Sequence, residues 1–119
     1  TGIMLEYAID KAKSMEYTQT QRRIYAVVTD KKGNIISEGY NSYTKTHPKQ
    51  AYYANMVDLP EKVFLHAEIS ALVKVRQGKP HKIYIARVDA NDNTMLAAPC
   101  PICQEAIRES GIKSVEYTV

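Results

Sequence analysis

Four residues of this 119-residue chain, His66, Glu68, Cys100 and Cys103, carry side chains that suit one metal ion and one proton transfer. The two cysteines stand three positions apart, a step that brings side chains onto one helix face. In a first helical turn, where N–H groups lack intrahelical acceptors, the helix end favours thiolate over thiol. Two thiolates and one imidazole form a donor set that zinc accepts, and three protein ligands leave its fourth tetrahedral position open to water. Zinc lowers the pKa of the water it holds from about 15.7 to about 7. Proton shuttling is what the protein must then add. Glu68, two residues from His66, projects from a helix at a different angle from the histidine, so it suits the open position better than it suits sharing the ion. The cysteine pair alone fits a redox dithiol equally well, since such motifs also follow a strand and open a helix. His66 and Glu68 in the same chain turn the reading to zinc.

Periodicity places these residues on elements. Ile3, Leu5, Tyr7, Ala8, Ala12 and Met15 predict a loosely amphipathic helix over 4–16. IYAVVTD, KKGN and NIISEGY read as a hairpin that turns at Lys32-Gly33-Asn34. From 41 to 65 the pattern gives way to polar residues, Pro48, Pro60 and the pair Tyr52-Tyr53, a connection long enough to be functional, in which AYYANMV fits a short helix. Ala67, Ile69, Ala71, Leu72 and Val75 predict a helix over 66–77, ended by Gly78 and Pro80. HKIYIARVD follows as a strand with ANDN as its turn. Pro101 suits the first turn of a helix in PICQEAIRES, Gly111 suits its cap, and KSVEYTV closes as a strand. The order α-β-β-α-β-α-β, without repeat or linker, predicts a single α/β domain over 1–119: a three-layer α-β-α sandwich around a mixed sheet of about four strands. The 34 positions from His66 to Cys100 hold one helix and one strand, enough for a crossover that sets two helix N-termini side by side.

Composition narrows the class. With 45% hydrophobic and 24% charged residues the chain is neither disordered nor fibrous. No apolar run approaches the length of a membrane span. TGIMLEYAIDKAK, broken by Glu6, Asp10, Lys11 and Lys13, lacks the apolar block of a signal peptide, so a cytoplasmic protein with no membrane partner is expected. The formal charge of +3 suits a phosphorylated substrate and suits mere solubility equally.

HAE at 66–68 with PCPIC at 99–103 resembles the signature of the zinc-dependent cytidine and deoxycytidylate deaminase superfamily. The likeness covers most of the chain, through the order of elements and GYN at 39–41. It implies that His66, Cys100 and Cys103 bind zinc, that Glu68 shuttles protons, that Asn41 touches the substrate sugar or base, and that the Ala67 backbone N–H lies at the base pocket. Histidine as the first ligand is more similar to the deoxycytidylate, tRNA adenosine and polynucleotide cytosine deaminases than to the small cytidine deaminases, which generally use cysteine there. The implied reaction is hydrolysis of the exocyclic amine of cytosine, giving uracil and ammonia, on a free nucleotide or nucleoside of the deoxycytidylate or (deoxy)cytidine type. Two departures stand out. Ile24-Tyr25-Ala26 puts a bulky ring where relatives often carry glycine. The chain also ends one residue past Thr118, so the fifth strand and terminal helices of many relatives are expected to be missing, and the open edge to be covered in a homo-oligomer.

Two other readings compete. A deaminase acting on cytosine in single-stranded DNA or RNA, or on adenosine in tRNA, gains little electrostatic support from a small charge without a long Lys/Arg run. A noncatalytic zinc-stabilised interaction module has no use for Glu68 and would gain a fourth protein ligand. Weaker candidates are Tyr40, Tyr43, Tyr52 and Tyr53, which either stack on a base or pack the 41–65 connection. His47 either reads a sugar or phosphate or sits on a surface loop. Arg22 and Arg23 with Lys45 and Lys49 either form a phosphate rim or are simply solvated. Asn41, which follows a strand, also has a plain role as a turn residue.

Overall fold

The computed structural model describes residues 3–15, 23–41, 67–75, 78–89, 91–99 and 101–118. Its elements are α1 (Ile3–Lys13), β1 (Arg23–Thr29), β2 (Ile35–Tyr40), α2 (Ala67–Val73), β3 (Lys82–Val88), β4 (Thr94–Met95), α3 (Pro101–Glu109) and β5 (Ser114–Tyr117). The strands form one sheet in which β2 is outermost, β1 and β3 follow, and β4 and β5 share the far side of β3. β1 runs antiparallel to β2 and β3, β4 antiparallel to β3, and β5 parallel to β3, so the sheet is mixed as expected. It counts five strands because the two-residue β4 adds to the four legible from sequence.

Side chains alternate across the strands and divide the core between two faces. Ala26, Val28, Ile83 and Ile85 point to the face covered by α2 and α3, where they meet Ala67, Ala71 and Ile107. Val27, Tyr84, Ala86 and Val88 point to the other face, where they meet Leu5, Ala8 and Ala12 of α1. Ile83 and Ile85, at 0% and 1% exposure, are each worth about 1.5–3 kcal/mol of burial. A third cluster, Ile69, Ile102, Cys103 and Ala106, joins α2 to α3. The three-layer sandwich is thus present. Tyr25 belongs to the α1 face, so its ring does not intrude on the α2 side. Its hydroxyl and that of Tyr7 both donate to Oε1 of Glu38, at 2.7 and 2.8 Å, which ties α1 to β1 and β2.

Both tight hairpins use one device. Asp30 Oδ1 accepts the N–H groups of Lys32 and Asn34, and Asp89 Oδ1 those of Asn91 and Asn93, each at 2.9 Å. These donors, with Asn34 and Asn93 first, hold both carboxyls below the usual range. The fourth loop residue has positive φ: 89° at Gly33, which has no Cβ to clash, and 64° at Asp92. The repeated D-x-x-x-N spacing is the signal that would have located β4. Beyond β4, Thr118 fills the junction with β5. Its Oγ1 accepts from Arg87 N–H at 3.1 Å and donates to the Met95 carbonyl at 2.6 Å, while its N–H donates to the Ile85 carbonyl at 3.1 Å.

Helix boundaries differ where local bonding changes. α1 ends at Lys13, and α2 at Val73, after which Lys74 and Val75 N–H donate to carbonyls only three residues back. α3 starts at Pro101, and Gly111 beyond its end has φ 79°, as the cap reading requires. No helix among the described residues is long and apolar enough to cross a membrane.

Candidate active site

β2 and β3 both run antiparallel to β1 and therefore point the same way. α2 follows β2 in the chain and α3 follows β3, so the first turns of both helices belong to the carboxyl ends of these strands, where open α/β sheets bind ligands. The residues singled out from sequence are placed as follows. Ala67 is the first described residue of α2 and is fully buried. Glu68, in the same turn, is 7% exposed, deep burial for a carboxylate. Cys103, in the first turn of α3, is fully buried in the cluster it shares with Ile69, the neighbour of Glu68. His66 and Cys100 lie outside the described residues. In sequence they directly precede Ala67 and Pro101, the first residues of the two helices.

Asn41 extends the β1–β2 ladder by one unusual rung. Its N–H donates to the Ile24 carbonyl at 3.3 Å, and its side-chain Oδ1 accepts the Ile24 N–H at 3.1 Å, in the place where a backbone carbonyl would act. Only the amide oxygen can accept from an N–H, so this bond fixes which way round the amide lies. The other end of the amide is a donor NH2.

Sequence reasoning missed the contact that holds β2 to α2. Gly39 lies against the backbone of α2: a Cβ there would come within 2.8 Å of the Ala67 carbonyl oxygen. Ser37, two residues earlier on the same face, donates its hydroxyl to the Ala71 carbonyl. Asn41, Ala67 and Glu68 are therefore carried by two elements in backbone contact, with Cys103 across the α2–α3 cluster.

Two of the weaker candidates are also placed. Arg23 is neither a rim residue nor solvated. Its side chain is 6% exposed, and its guanidinium donates to the carbonyls of Lys13, the last residue of α1, and of Met15 just beyond it, to the Asp89 carbonyl, and to Asp92 Oδ1 at 2.8 Å. It closes the end of α1 against the β3–β4 turn. Tyr40 is 45% exposed, with Lys74 Nζ 5.7 Å from its ring centre. Arg22, Tyr43, Lys45, His47, Lys49, Tyr52 and Tyr53 lie outside the described residues.

Among the described residues no group of three His, Cys, Asp or Glu side chains could hold a metal, and two of the three expected ligands fall outside them. The donor set itself fits zinc: a buried cysteine in a first helical turn, with a second cysteine and a histidine adjoining the same two turns in sequence.

Among the described residues, a mixed five-stranded sheet between one helix and two, with a buried carboxylate and a buried cysteine on facing helices, defines an α/β domain of the cytidine deaminase kind. Residues 3–119 match the family described as the cytidine and deoxycytidylate deaminase zinc-binding region, and the chain belongs to that family. It is similar in fold to dCMP deaminase from the cyanophage S-TIM5, solved with dCMP and dUMP, at 20% identity and a TM-score of 0.60, covering 96% of this chain and 76% of that one. It is also similar to cytidine deaminase from Mycobacterium tuberculosis, at 18% identity and a TM-score of 0.54, covering 95% and 79% of the two chains. A mutant form of that enzyme gives 17% identity, a TM-score of 0.54, and coverage of 95% and 80%. No curated protein sequence matches the chain significantly.

Proposed function

We propose that this protein is a zinc-dependent hydrolase that converts the cytosine ring of a free nucleotide or nucleoside, of the deoxycytidylate or (deoxy)cytidine type, to uracil with release of ammonia. The observation that carries the reading is the burial of Glu68 in the first turn of α2, beside the cluster that holds Cys103, in a chain of the deaminase family. His66, Cys100 and Cys103 would hold the zinc, which when bound supplies a Lewis acid that makes water ionisable near neutral pH.

The remaining chemistry falls to the chain. Hydrolysis adds one water across C4 and expels the exocyclic amine, so one proton must leave the water and reach N3, and another must reach the departing nitrogen. Glu68 is the group for both transfers, since one carboxylate can accept and then return a proton without leaving the site. Its burial keeps bulk water from competing for that proton. The Ala67 N–H would meet the ring, and Asn41 would hydrogen-bond the substrate sugar or base. A cytoplasmic location, where cysteines stay reduced, suits a thiolate site. A homo-oligomer belongs to the same reading: Met95 of β4, Leu96 directly after it and Tyr117 of β5 are exposed apolar residues on the side of the sheet away from β2.

Incubating the zinc-loaded protein with cytidine, deoxycytidine, their monophosphates and cytosine-containing oligonucleotides, while following ammonia, tests the proposal. Turnover of a free nucleoside or nucleotide is expected. Turnover of oligonucleotides alone would reject the substrate class, and no ammonia from any of them would reject the reaction.

A further inference from the structure

We propose that Gly39 and Ser37 of β2 are positioning residues that seat the backbone of α2 and thereby set Glu68 relative to Asn41; this deepens the deaminase reading and rests on it. Gly39 has an ordinary strand backbone, unlike Gly33 and Gly111, whose positive φ alone calls for glycine. What Gly39 requires is space. A Cβ there would lie 2.8 Å from both the Ala67 carbonyl oxygen and the Ser70 carbonyl carbon, and nearer still to Ala71 N, where ordinary contact begins at 3.4 Å. All three are backbone atoms, so no side chain can swing aside to make room. Around Gly33 and Gly111, by contrast, nothing lies within 4 Å of such a Cβ.

Ser37 adds direction to this contact. It is 8% exposed, and its hydroxyl donates to the carbonyl of Ala71, a residue whose N–H edge also faces Gly39. Residues 67, 70 and 71 are thereby held over one helical turn. Each residue turns a helix by about 100°, so Glu68 stands between the face seated on β2 and the face on which Ile69 meets Cys103. Asn41, two residues beyond Gly39, is tied to Ile24 and cannot follow α2 if the helix lifts. A side chain at 39 therefore separates the two groups, and a misplacement of about 1 Å costs on the order of 100-fold in rate.

The test compares Gly39→Ala and Ser37→Ala with the parent chain in steady-state deamination, zinc per chain, thermal unfolding and amide exchange over 67–73. Ser37→Ala adds no atom and serves if Gly39→Ala does not fold. The expected result is a kcat lowered about 100-fold in folded Gly39→Ala and severalfold in Ser37→Ala. KM should stay within about twofold and zinc near the parent ratio, and the 67–73 amides should exchange faster. An unchanged kcat, or a kcat that falls only as zinc and the folded fraction fall, would overturn the proposal. If the parent chain releases no ammonia, the deaminase reading fails by itself. Amide exchange then decides the seat: faster exchange over 67–73 in Ser37→Ala upholds it, and unchanged exchange overturns it.

Discussion

Cys103 of α3 and Ile69 of α2 are buried in one cluster, which brings a sulfur and the residue next to Glu68 to the same junction of two helices. A ligand role for Cys103 would put one side chain in both the site and the packing. Cys103→Ser should therefore drop zinc well below one equivalent per chain and, by burying a hydroxyl in an apolar cluster, cost about 1–3 kcal/mol of stability. Metal analysis and denaturant unfolding measure both. An unchanged zinc ratio would remove Cys103 from the ligand set.

Arg23 ties the carbonyls of Lys13, Met15 and Asp89 to Asp92, a fork that lysine cannot reproduce. Arg23→Lys should lose about 2 kcal/mol in denaturant unfolding. The ratio of its rates on deoxycytidylate and deoxycytidine should match the parent's. A selective loss of rate on deoxycytidylate in the folded variant would return Arg23 to a phosphate rim.

Tyr25 and Tyr7 share Glu38, and both phenols are held above their ordinary pKa. For Tyr25, burial is the larger cause and the Glu38 hydrogen bond the next, while for Tyr7 the Glu38 hydrogen bond comes first. The folded chain then keeps protons that the unfolded chain releases near pH ~10, so this stabilisation is complete below about pH 10 and is lost as pH rises beyond it. Unfolding midpoints from pH 8 to 11 should fall at the alkaline end, and Tyr25→Phe should flatten the fall. The same slope in Tyr25→Phe as in the parent would contradict this assignment.

Much of this was legible in the sequence because local rules and tertiary packing agree. Pro101 and Gly111 bracket α3, Gly33 marks the first hairpin, and the β-branched run at 23–29 forms β1. β4 escaped because two residues are too few to show alternation. Arg23 looked like solvent-exposed charge because the carbonyls it serves come from two separate stretches of chain, 13–15 and 89, that only the fold assembles. Gly39 read as part of a motif, while its reason is the backbone of a helix far along the chain. Asn41 was picked out as a substrate contact, and its backbone role, standing in for a carbonyl opposite Ile24, follows from register, which composition does not carry.

The central claim is that Glu68, buried at the head of α2, carries the protons of a cytosine hydrolysis. The most direct measurement is ammonia release from deoxycytidylate and cytidine by zinc-loaded parent and Glu68→Gln proteins, matched for metal content and folded fraction. The expected result is turnover by the parent and a loss of about 10²–10⁴-fold in the variant with zinc retained. Equal rates in the two proteins would contradict the claim.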